Sequence, residues 1–204
     1  SVVLEPVFLL VRVEAVAGDR GWSQPSGTNA GKTIVSQILS FNSARVSNQR
    51  FDSIHLDIEP HTLIGVAPEN WDWGGASHAN IWPAYLNFLK AVSNLVAVYN
   101  AANNPDIDWS DSIPYNWDTD AYTDSNITNV IRKVSRLFVQ DYWDTYANIR
   151  QFASNEVNAA NIWGKKIVVG IETMTNGAGT GLGIANTFFQ EGATNAMNVL
   201  AQVE

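Results

Sequence analysis

Phe51-Asp52-Ser53-Ile54-His55-Leu56-Asp57-Ile58-Glu59-Pro60-His61 is the stretch that decides the fold. Successive side chains of a β-strand point to opposite faces, so Ile54, Leu56 and Ile58 face one way and His55, Asp57 and Glu59 the other. The apolar trio calls for a cover of helices. The ionisable trio is costly to bury unless paired or hydrated, so its face should open onto a polar cleft. Pro60 cannot continue a hydrogen-bonded ladder and ends the strand.

Outward from this strand, the patterns alternate. Upstream, Val7 to Val13 reads as a strand, followed by a polar loop to about residue 28. A helix from about Lys32 to Val46 carries Ile34, Val35, Ile38 and Leu39 at helical spacing. Downstream, a loop with Trp71, Trp73, Gly74 and Gly75 leads to an amphipathic helix over 83–101, with Leu86, Leu89, Val92, Leu95, Val96 and Tyr99 inward. Strands follow at Asp108–Pro114, Arg136–Tyr142 and Ile167–Glu172, separated by helices over Asn126–Ser135 and 144–163. A glycine-rich loop, Asn176–Gly183, precedes a last helix from about Asn186 to Val203.

Strands alternating with helices imply a single α/β domain over residues 1–204 with a parallel sheet. Two architectures satisfy the pattern, a β/α barrel and an open doubly wound sheet. A full eight-stranded barrel takes about 250 residues, so a chain of 204 with five visible strands would supply an incomplete set.

Composition narrows the function. Apolar residues make up 46% and charged ones 16%, which fits a folded core. The formal charge of −8 disfavours nucleic acid and anionic membranes, which call for clustered Lys and Arg. No apolar run is long enough for membrane insertion. The chain has no cysteine, so disulfides, thiol nucleophiles and thiolate metal sites are excluded. Eight Trp on a weakly charged chain suit a secreted or cell-surface protein that handles neutral polar ligands. Ser1 and an apolar start without basic residues suggest a chain that is processed or cut from something longer.

With Asp52, the ionisable face resembles that of glycoside hydrolase family 18, the chitinase-like barrels. Their fourth strand carries Asp-x-x-Asp-x-Asp-x-Glu, and the matching positions are Asp52, His55, Asp57 and Glu59. The resemblance implies a (β/α)8 TIM-type barrel of which about strands three to seven are visible. A further chain or segment would complete it. It also implies that Glu59 is the general acid and that Asp57 orients a substrate N-acetyl group that attacks the anomeric carbon. His55 departs from the family, which has an acid there. In the same barrels the sixth strand ends in Met-x-Tyr, matched by Gln140 and Tyr142, and that Tyr touches the reacting N-acetyl group. Glu59-Pro60 resembles, in addition, the acid/base Glu of retaining barrel glycosidases, whose nucleophile Glu closes strand seven. Glu172 takes that place. A carboxyl separation of about 5 Å would fit double displacement and a wider gap would admit water. A strand reading His-Leu-Asp-x-Glu-Pro is also similar to bacterial barrel proteins, a likeness that implies no substrate.

The expected function is therefore a glycoside hydrolase that cleaves a β-linked, N-acetylated or plain glycan, with catalytic Glu59, Asp57, Glu172 and Tyr142. His55, Gln140, Trp117, Trp143, Trp71 and Trp73 are candidate substrate contacts, since aromatic rings after strand ends can stack on sugars. Two alternatives stand beside it, a non-catalytic glycan-binding or structural extracellular protein on the same fold and a metal-dependent hydrolase. Against a metal, same-face neighbours on one strand lie about 7 Å apart, so His55, Asp57, Glu59 and His61 cannot grip one ion unaided. No cofactor is expected either. Gly31-Lys32-Thr33 has Ser26 where a phosphate loop needs glycine, and reads as the first turn of a helix. The expected partner is carbohydrate.

Overall fold

The computed structural model describes residues 12–118, 127–175 and 183–203. The chain runs β1 (Glu14–Ala17), α1 (Pro25–Ser43), β2 (Ser53–Leu56), α2 (His78–Ala102), β3 (Asp108–Pro114), α3 (Thr128–Ile131), β4 (Arg136–Gln140), α4 (Tyr146–Phe152), α5 (Ser154–Ile162), β5 (Lys166–Gly170) and α6 (Gly192–Val203). The described strands form one sheet in the order β1-β2-β3-β4-β5, and every pairing is parallel. A doubly wound sheet reverses its strand order at a switch point. This one does not reverse, so the strands form the arc of an incomplete barrel.

The alternation expected of residues 54–59 is present side chain by side chain. Ile54, Leu56 and Ile58 are fully buried toward the helices, whereas His55, Asp57 and Glu59 are half-buried on the concave side. β4 repeats the pattern with Leu137 and Val139 fully buried. Against this apolar face α1 lays Val35 and Leu39, and α2 lays Tyr85, Phe88, Leu89 and Val92. α1 opens with Pro25, whose missing N–H is one of those a helix start leaves unbonded.

Several boundaries depart from the sequence reading. The first described strand is Glu14–Ala17, within the expected loop; of the expected strand, residues 7–11 lie outside the described residues and Arg12 and Val13 precede β1. The reason is close packing. A Cβ on Gly18 would come within 1.9 Å of the Asp57 carbonyl oxygen, so small residues at the end of β1 let β2 approach. α1 starts at Pro25 and α2 at His78, each earlier than expected, and the helix expected over 144–163 is two, divided at Ala153. β5 leaves the ladder at Gly170, before Glu172. The last helix begins at Gly192, whose φ of 78° suits glycine, after a turn at Ile184–Asn186. Most of the expected glycine-rich loop lies outside the described residues.

Candidate active site

The site forms where the concave face meets the carboxyl ends of β2, β4 and β5. Past Leu56 the chain stays in register, with the Asp57 N–H donating to the Ala17 carbonyl at 3.0 Å. Two residues on, Glu59 takes a left-handed conformation, φ 49° and ψ 54°. A non-glycine residue there carries strain of about 1–3 kcal/mol, which is maintained only where the surroundings enforce it. Here a tight turn at Pro60–Thr62 follows at once, and the Thr62 hydroxyl donates to the Glu59 carbonyl at 2.8 Å.

Gln140, at the end of β4, joins the two acids. Its Nε2 donates to Asp57 Oδ1 at 3.2 Å and to Glu59 Oε1 at 2.9 Å, and its side chain is almost wholly buried. Burial pushes the Asp57 carboxyl up and the Glu59 charge adds to this; a hydrogen bond from Ser112 and the field of His55 pull it partly back. Tyr142, two residues beyond Gln140, has its phenol raised to about 12, first by burial and then by the charges of Asp57, Glu172 and Glu59. All three carboxylates thus lie within electrostatic reach of the Tyr142 hydroxyl. Glu172 is held by its own strand end, its Oε1 accepting the N–H groups of Thr173 at 2.6 Å and Met174 at 2.7 Å.

Below this mouth the concave face is polar. His55 Nδ1 lies 2.8 Å from Ser110 Oγ and its Nε2 3.1 Å from Ser112 Oγ. The ring rests against Phe138, with centroids 5.0 Å apart. Phe138 in turn lies where a Cβ on Gly170 would be, 2.4 Å from such an atom. At the floor, Arg136 of β4 reaches across the arc to Glu14 of β1 in an ion pair. His55 is thus bonded on both ring nitrogens beneath the mouth. Ser110 and Ser112 were legible as period-two neighbours of His55 in Asp108-Trp109-Ser110-Asp111-Ser112, but polar alternation on a short strand carries little signal alone.

The tryptophans divide. Trp117 is fully buried and Trp73 7% exposed, stacked at 5.8 Å in an aromatic cluster with Trp82 and Tyr85. Both belong to the core and offer no open ring face, which corrects their expected role as sugar platforms. Trp71 is half-buried against the same core. Trp143 is half-buried, stacked on Phe152 at 4.8 Å. Among the described residues no group of three or more His, Asp or Glu is arranged to hold a metal ion, and no helix is long and apolar enough to cross a membrane.

No protein-family model and no curated protein matches the chain. Solved structures do. A fungal β-1,4-galactanase structure is similar at TM-score 0.50 and 17% identity, over 85% of this chain and 54% of that one. The fold is that of an incomplete β/α barrel. At such identity the likeness concerns the fold alone. A chitinase from Bacillus thuringiensis (TM-score 0.49, 15% identity, 79% of this chain and 28% of that one) and the catalytic domain of a cold-adapted chitinase B from Arthrobacter (0.48, 15%, 78% and 45%) are also similar. The chain spans between about a quarter and just over half the length of these proteins.

Proposed function

We propose that the protein is a glycoside hydrolase acting on a β-linked, N-acetylated glycan, with Glu59 as general acid and Asp57 as the group that orients the N-acetyl. The observation that carries this reading is the Gln140 amide bridging Asp57 and Glu59 at the strand ends, beneath a tyrosine that senses both acids. Two carboxyls held by one amide keep a fixed separation, which a reaction with distinct acid and orienting roles requires. Glu59 protonates the leaving oxygen, and Asp57 stabilises the positive charge that develops on the attacking N-acetyl nitrogen. Tyr142, kept protonated through the neutral range, donates a hydrogen bond to the N-acetyl oxygen. Trp143 and Trp71 serve as sugar contacts.

Glu172 is the rival nucleophile for double displacement. Its carboxylate is bonded to two backbone N–H groups of its own strand end, which holds it in place and weakens its nucleophilicity. This favours the substrate-assisted route over a glycosyl-enzyme on Glu172. The test is turnover of β-linked chitooligosaccharides and β-galactans by wild type, Glu59→Gln and Glu172→Gln. Loss of a general acid lowers kcat by about 10²–10⁴-fold, so Glu59→Gln falls by that factor, and Glu172→Gln falls far less. Turnover unaffected by Glu59→Gln contradicts the proposal.

A further inference from the structure

The turn that follows β2 is clasped from a second loop. Among the described residues only Glu59 and Asn70 combine a side chain with a positive φ. Asparagine tolerates that conformation, whereas glutamate has to be held in it. Thr62 does so from within the turn. Its N–H and its hydroxyl both donate to the Glu59 carbonyl, at 2.9 and 2.8 Å, which occupies both lone pairs of that oxygen. Arg20 holds Thr62 from outside, its Nη1 donating to the Thr62 carbonyl at 2.8 Å across 42 residues of sequence. Arg20 is itself fixed against β2, because Gly18 abuts the Asp57 carbonyl and Ala17 accepts the Asp57 N–H. The Asp19 side chain then accepts the Gly21 N–H, and the Ser23 hydroxyl donates to the Arg20 carbonyl, each at 2.7 Å. Further along, Gln24 Nε2 donates to the Val66 carbonyl at 3.1 Å, and Glu69 accepts the Ser26 N–H and hydroxyl at 2.9 and 2.6 Å. Residues 20–26 are thus tied to residues 62–69 at Thr62, Val66 and Glu69.

We infer that Arg20 and Thr62 are positioning residues for Glu59: together they lock it in the left-handed conformation and so aim its carboxyl at the Gln140 amide beside Asp57. What the aimed acid does rests on the glycosidase reading above; the clasp itself does not. Same-face neighbours on an extended strand stand about 7 Å apart. The turn at Glu59 closes that gap until a single nitrogen, Gln140 Nε2, bonds Asp57 at 3.2 Å and Glu59 at 2.9 Å. Both clasping residues donate to backbone oxygens, of Glu59 and of Thr62. They therefore set the direction of the Glu59 side chain without covering its carboxyl. The outer bond has a charged donor, which makes it stronger than a neutral one.

The experiment is ¹³C NMR of the full chain, which reads the Glu59 backbone conformation from its Cα and Cβ shifts. Wild type is expected to show left-handed values, and Thr62→Val and Arg20→Ala to move them toward extended ones. A second measurement needs neither variant. Relief of the left-handed strain makes Glu59→Gly melt about 2–4 °C above Glu59→Ala, and adding Thr62→Val and Arg20→Ala together shrinks that gap. On any glycan the wild type cleaves, Thr62→Val lowers kcat about 10²-fold with KM little changed, the scale of a group misplaced by about 1 Å. Thr62→Ser, which keeps the hydroxyl, restores it. Left-handed Glu59 shifts in both variants, or a Glu59→Gly protein no more stable than Glu59→Ala, overturns the clasp. A kcat indifferent to Thr62→Val overturns the positioning role. A wild type without turnover contradicts the glycosidase reading instead, and the shifts and melting points still decide the clasp.

Discussion

The two faces of the same sheet obey opposite rules. Toward the helices, Ile54, Leu56, Ile58, Leu137 and Val139 are all fully buried. On the concave side, the residues between them are His55, Asp57, Glu59, Phe138 and Gln140, mostly polar, and Val16 of β1 is 69% exposed. One face is filled by packing and the other by hydrogen bonds. The lesson is that stability and chemistry are written on alternate residues of one strand, so a single-residue step separates a core substitution from a site substitution. The helix side has two exceptions, the aspartates Asp111 in the middle of β3 and Asp141 just past β4. Asp111 accepts the Tyr85 hydroxyl on Oδ2, while its Oδ1 has no hydrogen-bond partner among the described residues. Asp141 is fully buried, and like Glu156 of α5 its carboxyl oxygens have no hydrogen-bond partner among the described residues.

The comparison can be broken in three ways. Leu56→Ala opens a cavity on the helix side and is expected to cost about 2–5 kcal/mol by denaturant unfolding, with the concave face unchanged in sequence. A cost under about 1 kcal/mol would mean the apolar face is not tightly packed. Glu156→Gln addresses the exception. Burial raises Asp141 to about 7 and Glu156 to about 8, against ordinary values of 3.8 and 4.5. Between the ordinary and raised values the folded chain holds more protons than the unfolded chain, so stability falls as pH rises from about 4 toward 8 and levels off beyond. Glu156→Gln is expected to flatten part of that slope and to stabilise the protein at pH 8 by roughly 1–3 kcal/mol, the cost of an uncompensated buried polar group. Melting curves from pH 5 to 8.5 check the sign; a wild type that gains stability over that range contradicts it. Asp57→Asn, one residue from Leu56, keeps shape on the concave side and is expected to change unfolding by less than about 1 kcal/mol, while abolishing turnover.

Much of this contrast was legible before any coordinates. Strict alternation over residues 54–59 and the strand at Asp108–Pro114 announced a two-faced parallel sheet, because period two is imposed by the backbone itself. β1 was not legible, because its claim to a strand rests on small residues that let β2 approach Gly18, and close approach leaves no mark in hydropathy. The break between α4 and α5 at Ala153 was equally silent, since no proline or glycine marks it. For the site, strand alternation marks Asp57 and Glu59 and the Met-x-Tyr resemblance marks Gln140, and hydrogen bonds join the three. Trp73 and Trp117 were misplaced because a tryptophan after a strand end can turn outward to a ligand or inward to a core, and only the packing partners distinguish the two. The Ser110–His55–Ser112 chain needed the register of β2 against β3, which no single strand contains.

The most direct test of the account is an NMR titration of the Glu59→Gln protein with a β-linked N-acetylglucosamine oligosaccharide, followed residue by residue. The account predicts saturable shifts centred on Asp57, Gln140, Tyr142 and Trp143, with Leu56, Leu137 and Val139 on the opposite face unmoved. Shifts centred on the helix layer, or none at millimolar sugar, would contradict the claim that the concave mouth is a glycan site.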